Sequence, residues 1–113
     1  MGFLGFGKKA RIVDLQTNKA YTLGKGKPLT IGTSRDNDIA ITDRYEGIRP
    51  LHVTIAETRG EETQYWITPG PEADVFVSTR DGAEKRLSNS GLYNARRRCE
   101  LRLGASYRLR FEI

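Results

Sequence analysis

Three consecutive arginines, Arg96, Arg97 and Arg98, form the densest cluster of charge in the sequence, with Tyr93 and Asn94 just upstream. Adjacent guanidinium groups can engage successive phosphates and stack on bases, the chemistry of nonspecific nucleic-acid or anionic-surface contact. In an extended run only two of the three share a face, and no nucleic-acid-binding signature surrounds them, so a solvated charged loop is the competing reading. Covalent chemistry has less to work with. One histidine, His52, and one cysteine, Cys99, supply neither a metal cluster nor an evident nucleophile with its base. Glu61 and Glu62 fall in a predicted hairpin tip, no Gly-x-x-x-x-Gly-Lys-Ser/Thr loop is present, and Gly24-Lys25-Gly26-Lys27-Pro28 reads as a flexible basic connection. These residues predict no cofactor, no metal site and no enzyme activity.

Composition sharpens this. A chain of 113 residues fits one domain, large enough to bury a core without disulfides. Its net charge of +5 conceals a segregation: Lys and Arg outnumber acids seven to one in residues 1–35 and seven to two in 86–113, but are outnumbered eleven to five in 36–85. Both ends are basic and the middle is acidic. Such ends can serve nucleic acid, an acidic partner or anionic lipid, or simply keep the surface solvated. Cys99 alternates with Leu101 and Leu103, which predicts a buried structural thiol and fits a reducing, cytoplasmic compartment. No apolar run approaches the roughly 20 residues of a membrane helix.

The elements that must position these groups are short. Few stretches show a helical period, whereas alternating runs punctuated by Gly, Asn, Asp and Pro recur, which predicts an all-β sandwich. Strands are predicted at 10–15, 20–23, 29–31, 39–42, 51–57, 63–68, 74–78, 85–88, 99–103 and 106–113. Turns are predicted at 16–19, at 58–62 and at Arg80-Asp81-Gly82, whose Asp-Gly pair tolerates positive φ. In the last strand Tyr107, Leu109, Phe111 and Ile113 alternate with Arg108, Arg110 and Glu112, so the two arginines are expected to face solvent. By the same alternation Leu51, Val53 and Ile55 are expected inside, with His52 and Thr54 opposite. Residues 1–9, with Gly2, Gly5 and Gly7 among Phe3, Leu4 and Phe6, are read as a flexible lead-in to a domain of residues 10–113. A docking or lipid-surface anchor is the alternative, although Phe6 breaks the myristoylation pattern.

One segment carries more than local structure. In Leu29-Thr30-Ile31-Gly32-Thr33-Ser34-Arg35-Asp36-Asn37-Asp38-Ile39-Ala40-Ile41 a buried strand meets a glycine and a polar turn, then re-enters a strand. The pattern resembles the forkhead-associated (FHA) signature hydrophobic-x-Ile-Gly-Arg-Ser-x-x-Asn-Asp-Ile-x-hydrophobic. His52-Val53-Thr54-Ile55 is similar to the second half of the family's Ser-Arg-x-His-Ala-x-Ile, and Val75-Phe76-Val77 to the end of Asn-Gly-Thr-Phe-Val. Leu101-Arg102-Leu103-Gly104 followed by Tyr107-Arg108-Leu109 resembles the closing Leu-x-x-Gly-Asp-x-Ile-x-Leu. The likeness covers roughly residue 10 to the C-terminus. It implies about eleven strands in two twisted, mainly antiparallel sheets, termini at one end, recognition loops at the other, and a protein-binding module without catalysis.

In the family, loop residues clasp a phosphothreonine, whose three oxygens suit guanidinium forks and hydroxyl or amide donors. Carried over position by position, that site looks altered. The arginine after the glycine is Thr33, which brings no charge, while Ser34 matches. The serine three before the histidine is Arg49, followed by Pro50. The asparagine and glycine before the Thr-Phe-Val-like run are Ala73 and Asp74, and a carboxylate there would repel phosphate. The resemblance gives Gly32, Asn37 and His52 the role of loop support. Arg35, Arg49 and Arg44 can either converge on an anion or pair as solvated loop arginines with Asp36, Asp38 and Asp43. The expected binding surface is 33–38, 44–51 and 71–74, stiffened by Pro50 and Pro71, with Tyr45 as an exposed aromatic anchor. The leading expectation is a protein or peptide partner bound without phosphate dependence; a phosphopeptide reader is the first alternative, and nucleic-acid or anionic-surface binding through the basic ends the second.

Overall fold

The computed structural model describes residues 10–24, 27–42, 44–59, 63–79, 82–87, 93–95 and 97–113. Eleven strands run through them: β1 (Arg11–Asp14), β2 (Ala20–Thr22), β3 (Leu29–Gly32), β4 (Ile39–Ala40), β5 (Val53–Arg59), β6 (Thr63–Pro69), β7 (Val75–Ser78), β8 (Glu84–Arg86), β9 (Tyr93–Asn94), β10 (Cys99–Leu103) and β11 (Tyr107–Glu112). They form two sheets. One has six strands in the order β2-β1-β11-β10-β7-β8, the other five in the order β4-β3-β5-β6-β9. The pairs are antiparallel except β3 with β4, where Ile31 stands beside Ile39 and Gly32 beside Ala40. The fold is therefore the β-sandwich expected from the sequence.

The core follows from alternation. Tyr107, Leu109 and Phe111 of β11 and Cys99, Leu101 and Leu103 of β10 point inward, facing Leu29, Ile31, Val53, Ile55, Tyr65 and Ile67 of the other sheet. Phe111 and Tyr65 meet across the sandwich with ring centroids 5.4 Å apart. Full burial of each such side chain is worth about 1.5–3 kcal/mol. Cys99 is buried among them, and burial pushes its thiol pKa up to about 11.

Three expectations change. Ile113 lies past the end of β11 and is 43% exposed. Leu51 is also exposed, whereas His52 is fully buried, because β5 begins only at Val53 and the bend before it does not continue the strand's alternation. The two-residue β9 was not foreseen: two residues cannot display a period. Of the turns, 16–19 closes β1 onto β2, with Asn18 at φ +63 and Asp14 N donating to Lys19 O at 2.8 Å. Gly82 takes φ +83 and donates to Thr79 O at 2.9 Å. The expectations for residues 1–9, Lys25, Gly26, Asp43, Glu61, Glu62, Arg80, Asp81, Ser88 and Arg96 lie outside the described residues.

Register separates the two ends. Arg11 pairs with Glu112, which places residues 11 and 112 together. At the other end of these strands the β10–β11 turn meets the loops: Gly104 N donates to Asp74 O at 3.0 Å and Ala105 N to Glu46 O at 3.1 Å. The connections β3–β4, β4–β5 and β6–β7 thus gather where strands 10 and 11 turn.

Candidate functional site

Gly32 ends β3 against another piece of backbone. A Cβ there would fall 2.1 Å from Pro50 O, so only glycine lets residues 33–34 lie beside residues 49–50. The contact is then hydrogen-bonded: Thr33 N donates to Arg49 O at 3.0 Å and Ser34 N to Pro50 O at 3.2 Å. Asn37 Nδ2 spans the same gap, donating to Ser34 O at 2.9 Å and Pro50 O at 2.6 Å. Asp38 turns away from the loop arginines and accepts from Thr30 N at 2.8 Å and Thr30 Oγ1 at 3.3 Å.

His52 ties in the third loop. Its Nδ1 accepts from Arg49 N at 3.0 Å, which leaves the ring proton on Nε2, and Nε2 donates to Asp74 O at 2.8 Å. Burial, partly opposed by the Asp74 carbonyl, lowers the histidine pKa and keeps the ring neutral. Gly70 completes the junction: its N donates to His52 O at 2.8 Å, and an added Cβ would sit 2.0 Å from Leu51 O. Gly32, Asn37 and His52 therefore hold three loops in one fixed arrangement through backbone carbonyls and amides.

The charged and polar candidates stand on this frame. Thr33, Arg35, Arg44 and Arg49 are exposed, and Ser34 is half-buried with Oγ accepting from Asp36 N at 3.4 Å. Arg49 Nε donates to Glu72 O at 3.1 Å, fastening the second loop to the third. Among the described residues Arg35 and Arg44 make no hydrogen bond or ion pair, so the pairs drawn to Asp36 and Asp38 do not form; Asp38 is committed to Thr30. Ala73 is buried and offers no side chain to a ligand. Tyr45 is not an exposed anchor: it is half-buried, packed on the core, and meets Tyr107 edge-on at 4.8 Å and 88°. Aromatic burial and a T-shaped contact favour that position over water.

Asp74 is exposed but not a bare charge. Arg86 of β8 donates to Asp74 Oδ1 from Nη2 at 2.6 Å and from Nε at 3.1 Å, which offsets the repulsion its carboxylate would exert on an anion. Arg86 was not anticipated, because only the β7–β8 pairing, with Phe76 opposite Arg86, brings it there. Asp14 is the other unforeseen residue. It is buried, accepts at Oδ1 from Gln16 N at 2.9 Å, Gln16 Nε2 at 2.7 Å and Thr17 N at 3.2 Å, and takes the Tyr107 hydroxyl at Oδ2. Burial first, and that bond second, raise the Tyr107 pKa. Asp14, Tyr107 and Tyr45 thereby form a column under the loop end.

Arg97 and Arg98 are placed elsewhere, exposed just before β10 at the end remote from these loops. Among the described residues no group of three or more His, Cys, Asp and Glu side chains is arranged to hold a metal ion.

No protein-family profile matches this sequence, and no curated protein matches it. Solved structures do. The chain is similar to the MEK1 FHA domain in complex with a phosphothreonine peptide of HOP1, with TM-score 0.75, 15% identity and coverage of 93% of this chain and 96% of that one. It is similar to the FHA domain of an Arabidopsis thaliana hypothetical protein, with TM-score 0.74, 20% identity and coverage of 100% and 92%. The yeast Dun1 FHA domain, in complex with a doubly phosphorylated peptide derived from Rad53, gives TM-score 0.66, 15% identity and coverage of 99% and 79%. The fold of this chain is that of the FHA domains.

Proposed function

We propose that this domain is a protein-interaction module whose loop end, built by residues 33–38, 44–51 and 71–74, holds a partner peptide without depending on phosphothreonine. The observation that supports this reading is the pairing of an intact loop frame with altered ligand positions. Thr33 stands where the resemblance calls for a phosphate-gripping arginine, Ala73 is buried, and Arg49 spends its Nε on Glu72 O. A preformed loop frame binds at little ordering cost whether or not its ligand is phosphorylated. Catalysis has no support in the same geometry: the Cys99 thiol is buried with its pKa near 11, and both ring nitrogens of His52 are engaged by backbone.

A second reading has its own motivation. Arg35 and Arg44 are unpaired among the described residues, and the solved complexes of the MEK1 and Dun1 domains contain phosphothreonine peptides. Arg35 and Arg49 would then supply the anion contacts from new positions. Calorimetric titration of a phosphothreonine-peptide library against unphosphorylated counterparts separates the two. The phosphate-independent reading expects affinities within about threefold of each other, and a gain of about tenfold for phosphorylated ligands in Thr33→Arg, which restores a charge-assisted contact. Micromolar, phospho-selective binding that disappears in Arg49→Ala would instead establish the relocated-arginine reader.

A further inference from the structure

Roughly 13 Å along β7 from the loop end, at four strand residues of about 3.3 Å each, the six-stranded sheet carries a cleft of about 590 Å³. Arg97, Arg98, Arg110, Glu100 and Ser78 line it over the buried Cys99. Its size lies in the range of sites that enclose a small ligand or a few residues of a peptide.

The charge of the described lining is positive, and two of its three arginines are uncommitted. Arg97 and Arg98 make no hydrogen bond or ion pair among the described residues. Arg110 stands opposite Glu100 in the β10–β11 register, and Glu112 Oε2 holds its Nε at 2.6 Å, which orients the guanidinium and leaves its two Nη groups available. Glu100, the one carboxylate among the described lining residues, lies 3.7 Å from Arg108, so its charge is already partly balanced from outside the cleft. Ser78 is half-buried and adds a hydroxyl.

We propose that this cleft is a second binding site, for an acidic peptide segment, independent of the loop end. Planar guanidinium forks match side-chain oxyanions in bidentate geometry, and three of them around one concavity favour successive acidic residues over a single ion. Nucleic acid fits less well. The described lining has no aromatic ring on which bases could stack, and the phosphates of a duplex lie on a convex cylinder that does not enter a cleft of this size.

Fluorescence anisotropy with a labelled peptide of alternating Glu and Gly, at near-physiological salt, tests this. Arg97→Gln combined with Arg98→Gln weakens binding about tenfold or more, and Glu100→Gln, which removes the one acid of the described lining, tightens it about threefold. Arg49→Ala at the loop end changes nothing, so this test and that of the loop-end partner fail separately. The proposal is overturned by absence of saturable binding up to about 1 mM peptide, by an affinity within about twofold of wild type in the double variant, or by single-stranded DNA displacing the peptide more effectively than unlabelled peptide does.

Discussion

The two ends of β7 differ in what their polar groups are used for. At the Asp74 end, His52, Asn37 and Arg49 direct their donors and acceptors at neighbouring backbone, and the Asp74 carboxylate is taken by Arg86. At the Ser78 end, Arg97 and Arg98 are bonded to nothing among the described residues. The groups that build the loop frame satisfy one another, which leaves Arg35 and Arg44 at its margin as the charge it can offer; Arg97 and Arg98 of the cleft contribute little to stability and have charge to offer. The landmarks that make the loop end recognisable are therefore the ones that build it, and conspicuous charge at the other end can be altered without touching the fold.

Removing His52 should break this contrast most visibly. The ring is fully buried, and His52→Ala leaves the Arg49 amide and the Asp74 carbonyl without partners and opens a void between loops. The expected loss is about 3 kcal/mol in urea unfolding. Arg97→Gln with Arg98→Gln should stay within about 0.5 kcal/mol of wild type in the same assay. Equal losses at the two ends would remove the distinction.

Acid should find the loop end next. The ordinary imidazole value is 6.5, and burial lowers it in the folded protein, so between those two values the unfolded chain binds the extra proton. Stability from this group is complete above 6.5 and is lost as pH falls toward the lowered value, at no more than about 1.4 kcal/mol per pH unit for one proton. The slope in this window should vanish in His52→Gln. A slope retained in that variant would assign the acid sensitivity to other groups.

How much of this was legible in the sequence depends on the range of the interaction. Gly32, Asn37, Asp38 and Ile39 lie within eight consecutive residues, so turn chemistry and alternation announced the β3–β4 connection before any pairing was known. The β11 face from Tyr107 to Phe111 was equally plain. What stayed hidden depends on distant partners: Arg86 reaches Asp74 only through the β7–β8 register, and Tyr45 is drawn under the loops by Tyr107, sixty-two positions on. Leu51 and His52 exchanged their expected environments because a bend, not a strand, precedes Val53. Whether Arg35 and Arg49 act on one ligand was beyond reach for the same reason, since it turns on loop conformation and not on residue type.

Asn37→Ala should cost less than His52→Ala, about 1–2 kcal/mol, because the amide group is half-buried and water can reach part of what it leaves. Its value lies in local readout. If residues 33–38 are held mainly by Asn37, amide exchange at Thr33 and Ser34 should accelerate while that of β10 and β11 is unchanged. Protection that falls uniformly would mean that the loop and the sandwich open together.

The smallest expected effect tests whether the loop end carries strain. Residues 70–73 form a turn closed by Ala73 N donating to Gly70 O at 3.2 Å, with Pro71 at the second position and Glu72 at φ +57 in the third. That third position favours glycine, and a side chain there costs on the order of 1–2 kcal/mol. In this conformation the Glu72 carbonyl accepts from Arg49 Nε. Glu72→Gly preserves that carbonyl and relieves the strain, but the unfolded chain gains the freedom of a glycine, about 0.5–1 kcal/mol in the opposite sense. The net expectation is a stabilisation of about 0.5 kcal/mol, with ligand affinity unchanged. Glu72→Ala, which keeps a Cβ at positive φ, should show no such gain. If both variants are equally stable, side-chain strain at this turn is not part of what distinguishes the loop end from the cleft.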